Sequence, residues 1–113
     1  MAVPPRRRTQ PRGRAALFAA LGDETRLSLI ERLANGAPQS IAQLTVGSPL
    51  TRQAISKHLR VLSAAGLVRS VRVGRESRFE FRPEPLREAQ AYLARIAEQW
   101  DDALARLKAF VES

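Results

Sequence analysis

Several residue types that build covalent or reactive sites are scarce in this chain. Its 113 residues include no cysteine and a single histidine, His58. Without cysteine there is no disulfide bond and no thiolate ligand for a metal. The sequence also offers no paired nucleophile and base, no phosphate-cradling glycine loop and no cluster of metal ligands. We therefore expect a protein that is not an enzyme and that uses no metal or cofactor.

Long apolar segments are also missing. No stretch approaches the roughly 20 apolar residues of a membrane-spanning helix. Arg6, Arg7 and Arg8 are not followed by the apolar region that a secretory signal requires. The apolar share of 44% is ordinary for a globular protein, and the length suits one domain. These features predict a soluble domain that does not bind membranes and is located in the cytoplasm.

Positive charge is in clear excess. The chain carries 19 basic and 11 acidic side chains, which gives a net charge of +8 and an isoelectric point of about 11.5. Arginines concentrate in the first fourteen residues and between residues 69 and 82, whereas the acidic residues gather in the last third. This distribution favours a nucleic-acid partner over a basic chain that is merely soluble.

The first third of the chain predicts a basic arm followed by two helices. Residues 1–13 are rich in arginine and proline, so we expect a disordered arm that attracts DNA nonspecifically or is simply solvated. The domain proper is then residues 14–113. Apolar residues at helical spacing predict a first helix over 14–21. Asp23 is the expected N-cap of a second helix, which stops at Gly36.

The middle of the chain predicts two short helices joined by a tight turn. Ser40 would cap the third helix, and residues 47–49 break the chain. Thr51 would cap a fourth helix that ends near Ala65, with apolar residues on one face and polar, basic residues on the other. Such a pair is a helix-turn-helix, whose second helix enters the major groove of DNA. The candidate DNA contacts on this helix are Thr51, Arg52, Gln53, Ser56, Lys57 and Arg60.

After Gly66 the pattern changes to two strands. Residues 67–73 and 78–82 alternate apolar and arginine side chains, and residues 74–77 would join them. We expect the apolar residues Val71, Val73, Phe79 and Phe81 to face the core. The arginines would contact phosphates or a narrow minor groove; the alternative is that they are solubilising charges, partly neutralised by Glu76 and Glu80. The candidate contacts here are Arg72, Arg75 and Arg78, with Arg69 and Arg82 left open.

The last predicted helix covers about residues 85–112. Its apolar residues step by three and four, as in a heptad seam, and the stripe is wider than one small domain can cover. A second copy of the chain is therefore the expected partner, although packing on its own domain is the alternative. The candidate dimerisation residues are Leu17, Phe18, Leu86, Leu93, Ile96, Trp100, Leu107 and Phe110.

From residue 14 to the end, the chain resembles the ArsR-type family of bacterial winged-helix repressors. The matching segments are LGDETRL at residues 21–27, LTRQAISKHL at residues 50–59, and the AGLV of residues 65–68 before a glycine-turned wing. The resemblance implies a mostly α-helical winged helix-turn-helix with a small β-hairpin wing, in the order α-α-α-α-β-β-α. It also implies a homodimer that blocks transcription at a promoter operator until a signal releases it.

The chain departs from the metal-sensing members of that family. Where they carry a pair of cysteines, this sequence has Ser40 and Ala42, and its last helix contains no histidine. Zinc and softer metals need thiolate or imidazole ligands, so the resemblance is to a branch that does not sense metals. The effector stays unidentified. A pocket between the first and last helices could admit a small apolar molecule, or the protein's own level or a partner protein could set repression.

The sequence as a whole predicts a sequence-specific DNA-binding regulator of transcription. The alternative is a winged-helix module that binds another protein instead of DNA, but such a module would show acidic or apolar residues on the outer face of residues 52–60. His58 is interpreted as a packing residue or a phosphate donor. Arg26 is expected to form an intradomain ion pair or a helix-surface contact near Asp23 or Glu24.

Overall fold

A computed structural model describes the backbone of residues 6–113 and the side chains of residues 13–113. Five helices and one hairpin follow one another in the predicted order α-α-α-α-β-β-α, so the mostly helical fold class with a small hairpin is confirmed. The elements are α1 (Arg6–Leu21), α2 (Glu24–Ala34), α3 (Ile41–Thr45), α4 (Arg52–Ala64), β1 (Val68–Val73), β2 (Glu76–Phe81) and α5 (Glu84–Glu112).

Helix α1 begins at Arg6, well before residue 14. The helix therefore includes residues 6–13 of the predicted arm, while residues 1–5 lie outside the described part of the chain; the division into an arm and a domain stays a prediction. The arginines of this segment have a high helix propensity, whereas Pro11 and Gly13, which also lie in it, disfavour a helix interior. The composition of this segment indicated only that it cannot bury apolar surface. A helix can still form without burying apolar surface.

The three predicted N-caps are confirmed. The Asp23 carboxylate accepts a hydrogen bond from the Arg26 backbone N–H at 3.1 Å. At α3 a full capping box forms, because Ser40 Oγ accepts from the Gln43 N–H at 3.1 Å and Gln43 Oε1 accepts from the Ser40 N–H at 2.8 Å. Thr51 Oγ1 accepts the equivalent bond at the start of α4. Each cap satisfies a backbone donor that the helix itself leaves free, and so fixes where the helix begins.

The apolar core joins α1, α2, α3, α4 and the start of β1. Helix α4 buries Ile55, Leu59 and Leu62, the apolar face that its sequence predicts. Burial of this face leaves the opposite face of α4 in solvent. The buried apolar residues of the described chain are Leu17, Ala20, Leu29, Ile30, Leu33, Leu44, Ile55, Leu59, Leu62, Leu67, Val68 and Ala89.

The hairpin is tighter than predicted, and its faces differ from the prediction. Val73 pairs with Glu76, so only Gly74 and Arg75 join the strands, and Gly74 has a φ of 66° that suits glycine. Residues that pair directly share a face in an antiparallel sheet. Val71 pairs with Arg78, so it lies on the face opposite to Phe79. The expectation that Val71 and Val73 share the core face with the phenylalanines is wrong, and Val73 is exposed.

Helix α5 extends away from this core. Its 29 residues span about 43 Å, and within it only Ala89 is buried. The radius of gyration of the chain is 19.1 Å, whereas a compact chain of this length would have about 13 Å. None of the described helices is both long and apolar enough to cross a bilayer.

Candidate nucleic-acid interface

The solvent-facing side of α4 holds the six candidate contacts predicted for this helix. Five of them are exposed, and Ser56 is half-buried. Arg52 and Gln53 form the first helical turn, directly after the cap at Thr51. In a helix-turn-helix the first turn of the second helix reaches base edges in the major groove. The structure therefore brings these six residues together on one accessible surface: Thr51, Arg52, Gln53, Ser56, Lys57 and Arg60.

The wing separates its arginines into two groups. Arg72 and Arg75 are exposed, and neither guanidinium has an ion-pair or hydrogen-bond partner among the described side chains. Arg78 is half-buried and lies 2.8 Å from Glu76 Oε1. Arg75 occupies the tip of the hairpin, where it extends furthest from the core. Arg72 and Arg75 are thus available to a polyanion, whereas Arg78 already has an intramolecular partner.

Two further wing arginines are also paired. Arg69 Nε donates to Glu80 Oε2 at 2.6 Å, across the hairpin. Arg82 Nε donates to Glu84 Oε1 at 3.3 Å, at the start of α5. Exposed pairs of this kind contribute little stability. These two ion pairs do, however, neutralise positive charge at the base of the wing. The unpaired positive charge of the wing is therefore concentrated near its tip.

An arginine that the sequence reasoning did not single out holds the helix-turn-helix together. Arg32 of α2 donates to the backbone carbonyls of Leu44 at 2.8 Å and Gln43 at 3.2 Å. A third hydrogen bond reaches Gln39 Oε1 at 3.2 Å. The last carbonyls of a helix have no partner within it, and a cation there also suits the helix dipole. Arg32 thereby fixes the end of α3 immediately before the turn that leads to α4.

Of the two contacts predicted for Arg26, the structure shows one with a neighbouring helix and not the ion pair. Arg26 Nε donates to the Ala20 carbonyl at 2.8 Å and its Nη2 to the Ala19 carbonyl at 3.1 Å, which closes the carboxyl end of α1. Its Nη1 lies 3.3 Å from Nδ1 of His58, on the inner side of α4. The expected ion pair with Asp23 or Glu24 is therefore replaced by these contacts. His58 takes part in packing the junction of α1, α2 and α4, in line with its interpretation as a packing residue.

Asp23 completes this junction. The hydrogen bond from the Arg26 backbone N–H holds the pKa of Asp23 below its ordinary value, with smaller contributions from the charges of Arg26 and His58. The carboxylate lies 3.9 Å from His58 Nδ1. Helix α2 is consequently tied at its amino end to the helix that carries the candidate DNA contacts.

The residues predicted for dimerisation divide into two sets. Leu17 is buried in the core of its own protomer, and Phe18 and Leu86 pack against that core. Leu17 is therefore covered by its own protomer, and the dimerisation set as a whole stays a prediction. The other five remain exposed on α5, with Trp100 at 63% and Phe110 at 79%. They are Leu93, Ile96, Trp100, Leu107 and Phe110, and we call them, with Leu104 and Val111, the α5 stripe.

The described side chains contain no group of three or more histidine, aspartate or glutamate residues that could hold a metal ion. Sequence reasoning found the face of α4 because amphipathic spacing reveals it. It missed Arg32 because a side chain that donates to backbone carbonyls of another helix leaves no local pattern. Only the folded arrangement brings α2 beside the end of α3.

Comparison with known proteins agrees with this geometry. Residues 21–71 match the family described as a helix-turn-helix domain. The uncharacterised HTH-type transcriptional regulator YuzN of Bacillus subtilis strain 168 is 41% identical over 78 residues, which are 64% of this chain and 85% of the relative. The HTH-type transcriptional regulator Rv2034 of Mycobacterium tuberculosis H37Rv is 34% identical over 96 residues, or 85% of this chain and 86% of the relative.

A solved structure gives the same result. The ArsR-like transcriptional regulator from Rhodococcus sp. RHA1 superimposes with a TM-score of 0.83 at 45% identity, covering 88% of this chain and 90% of that one. The likeness extends well beyond the helix-turn-helix itself. The chain belongs to the ArsR family of winged helix-turn-helix proteins and is a DNA-binding regulator of transcription.

Proposed function

We propose that this regulator is a homodimeric repressor that reads a pseudo-palindromic operator through α4. The observation that carries the proposal is the solvent-facing polar and basic surface of α4, held at its first turn by the cap at Thr51. Two such helices related by a twofold axis fit half-sites about 10 to 10.5 base pairs apart. A dimer seated on a promoter in this way would block access of the transcription machinery.

Base recognition is assigned to the first turn of α4. Arg52 can donate two hydrogen bonds to guanine O6 and N7, and Gln53 can form the matching pair with adenine N6 and N7. Each such pair contributes about 1 to 3 kcal/mol of discrimination between bases. Ser56 and Lys57, one turn further on, would contact bases or phosphates.

The remaining contacts position the protein on the duplex. Thr51 and Arg60 flank the reading residues and are assigned to phosphates. Arg72 and Arg75 carry unpaired charge to the wing tip, where they would contact phosphates or a narrow minor groove. Arg78 makes the weakest contribution of the predicted set, because Glu76 already neutralises its guanidinium.

Dimerisation is assigned to the α5 stripe. Exposure to water is least favourable in free energy for large apolar side chains such as Trp100 and Phe110. Burial against the same stripe of a second copy removes this unfavourable exposure. A symmetric partner also explains why one helix carries exposed apolar side chains over about 27 Å, from Leu93 to Val111. We further propose that the dimer works in the cytoplasm, has no catalytic activity and no role at membranes, and responds to a small-molecule effector.

The experiment that tests the proposal compares variants against random-sequence DNA. We expect the wild type to select a pseudo-palindrome, and Arg52→Ala and Gln53→Ala to relax the preference at one position in each half-site. Arg75→Ala should weaken binding to all sequences alike and, because the dimer loses two arginines, reduce the slope of log affinity against log salt by about two units.

Arg106→Ala is the matched control, because this exposed arginine lies on α5 and should leave both properties unchanged. If Arg52→Ala and Gln53→Ala select the same sequence with the same discrimination as the wild type, α4 is not the reading helix. Absence of any DNA binding at low salt would overturn the proposal as a whole.

A further inference from the structure

A cluster of three polar side chains lies where α1, α2 and α4 meet. It consists of Asp23, Arg26 and His58, and all three are half-buried. Arg26 Nε and Nη2 donate to the carbonyls of Ala20 and Ala19, which hold one side of the guanidinium against the carboxyl end of α1. The third nitrogen, Nη1, lies 3.3 Å from His58 Nδ1. One side chain of α2 therefore joins α1 to the helix that carries the candidate DNA contacts.

The contact between Arg26 and His58 determines the state of the imidazole ring. A guanidinium keeps its proton in proteins and has no acceptor atom, so it can only donate. His58 Nδ1 must therefore accept, which requires a neutral ring with its proton on Nε2. A ring protonated at both nitrogens has no acceptor and would place a second cation beside the guanidinium. The hydrogen bond thus exists only while His58 is neutral.

Asp23 is the other charged group that faces His58. Its Oδ2 lies 3.9 Å from Nδ1 and accepts the Arg26 backbone N–H. Protonated His58 would therefore be repelled by Arg26 and attracted to this carboxylate. Among the described side chains no second carboxylate lies within 4.0 Å of the ring, and α3 carries no charged residue. The other charged residues of the elements packed against α4 are Arg14 over the Tyr92 ring, Glu24 and Glu31 in solvent, Arg32 at the end of α3, and Arg69 with Glu80 and Arg72 on the wing.

Apolar burial and this hydrogen bond fix α4 in different ways. The buried face of α4 holds the helix on the core, but the hydrophobic effect is not directional. A hydrogen bond is directional, since it weakens steeply as its angle departs from linear. The bond to His58 is made about 8 Å along the helix axis from Gln53. It therefore restrains the rotation of the helix whose first turn must align paired donors and acceptors with a base edge.

We propose that Arg26 and His58 are positioning residues for DNA reading, and that protonation of His58 releases α4 and weakens operator binding. Neither side chain needs to touch DNA in this role, because both act through the orientation of α4. The inference rests on the proposed function, in which α4 reads bases, and deepens it by making that reading dependent on pH.

The sign of the pH effect separates this role from a phosphate contact. A ring that donates to a DNA phosphate binds it more tightly once protonated, so affinity would rise with acidification. A ring that positions α4 loses its bond to Arg26, so affinity falls. Histidine is the side chain that ordinarily changes charge between pH 5 and 8, and His58 is the only histidine in the chain. A pH effect in this range that disappears on substitution of His58 therefore belongs to this ring.

The test measures the affinity of the full chain for its selected operator at pH 7.5 and pH 5.5 and constant ionic strength, by fluorescence anisotropy. We expect the wild type to bind about fivefold more weakly, or weaker still, at pH 5.5, as for the loss of one hydrogen bond. His58→Asn places an amide oxygen where Nδ1 was, and this oxygen accepts from Arg26 without titrating. The variant should match the wild type at pH 7.5 and change less than about twofold at pH 5.5. Equal wild-type affinities at both pH values, tighter binding at pH 5.5, or an unchanged pH effect in His58→Asn would each overturn the proposal.

A second variant tests the other half of the contact. Arg26→Lys keeps the charge, but a single ammonium cannot bond both α1 carbonyls and His58 as the guanidinium fork does. It should weaken operator binding at pH 7.5 about fivefold and reduce the pH effect. Arg106→Lys makes the same exchange at an exposed position on α5 and should retain both the affinity and the pH effect of the wild type. Equal behaviour of the two lysine variants would overturn the role of Arg26.

The ring itself can be observed in the wild type without DNA, so misfolding of a variant does not leave the question open. Long-range ¹⁵N–¹H NMR spectra should show the His58 proton on Nε2 at pH 7.5. Amide signals of Ala19 and Ala20 should shift between pH 7.5 and 5.5 in the wild type and stay in place in His58→Asn. A proton on Nδ1 at pH 7.5 would overturn the proposal.

The spectra also separate this proposal from the proposed function. If the chain binds no DNA but His58 carries its proton on Nε2 alone, the repressor proposal fails and the contact with Arg26 stands. If the chain selects an operator through α4 with an affinity that does not depend on pH, the proposed function stands and only the positioning role is overturned.

Discussion

Helices α4 and α5 share one sequence pattern but differ in whether the protomer buries their apolar face. Both place apolar residues at helical spacing on one face. Helix α4 buries Ile55, Leu59 and Leu62 in the protomer core, whereas in α5 only Ala89 is buried and Trp100 stays 63% exposed. An amphipathic pattern therefore indicates that one face of a helix is to be buried, but not whether the same chain or a second chain buries it.

The opposite faces of the two helices differ as well. The outer face of α4 is basic and polar without acidic residues, whereas α5 alternates acidic and basic residues around its stripe. A helix with one buried face and one cationic face has two assigned partners, the core and DNA. Helix α5 has only a short contact with its own core, so most of its apolar surface is left for a second chain.

The largest expected effect compares the same substitution in both helices. Leu62 is fully buried, whereas Leu104 is 47% exposed. Leu62→Ala should lower the free energy of unfolding by about 2 to 5 kcal/mol, because it removes a core side chain and leaves a cavity. Leu104→Ala should hardly lower the free energy of unfolding at protein concentrations where the chains are monomeric. It should lower it more at concentrations where they associate.

Urea denaturation at two protein concentrations measures both variants. Equal losses for the two leucines, independent of concentration, would mean that the protomer already covers the α5 stripe. In that case the contrast between the two helices would disappear.

A second prediction concerns association alone. Trp100→Glu places a charge in the middle of the α5 stripe and should raise the dissociation constant of the dimer at least thirtyfold, about 2 kcal/mol. Ala105→Glu is the matched control, since it adds the same charge on the opposite side of the same helix. Sedimentation equilibrium measures both. A Trp100→Glu chain that associates as tightly as the control would exclude the stripe as the interface.

The smallest expected effect concerns pH and the junction at the start of α2. The pKa of Asp23 is lowered in the folded state, chiefly by the hydrogen bond from the Arg26 backbone N–H. The stabilisation is thus complete above the unfolded pKa, near 4, and is lost as the pH falls through the lowered value. Melting temperature should fall with acidification below about pH 4.

Asp23→Asn keeps an N-cap that does not titrate, so its melting temperature should fall less steeply in the same range. Glu24→Gln removes a neighbouring carboxylate that is exposed and makes no side-chain hydrogen bond among the described residues, and it should follow the wild type. If the melting temperatures of Asp23→Asn and the wild type fall equally with pH, ionisation of Asp23 does not stabilise the fold.

Sequence reasoning succeeded where the signal is local. The caps at Asp23, Ser40 and Thr51 depend on residues within three positions of each other, and they are confirmed. It failed on the hairpin faces, because the face of Val71 depends on which residue of β2 pairs with it. The assignments of individual DNA contacts and of the α5 stripe remain predictions.

By itself the sequence determined the order of helices and strands, the faces of α4 and the family, since spacing, caps and turn residues act over a few positions. Only the tertiary structure decided that Leu17 is buried, that Arg32 and Arg26 hold helix ends, and that Arg26 contacts His58. The physical reason is that these outcomes depend on which distant groups meet. A carbonyl, a carboxylate or an apolar surface is satisfied by whatever partner the packing brings within a few ångströms, and that partner is not encoded in neighbouring residues.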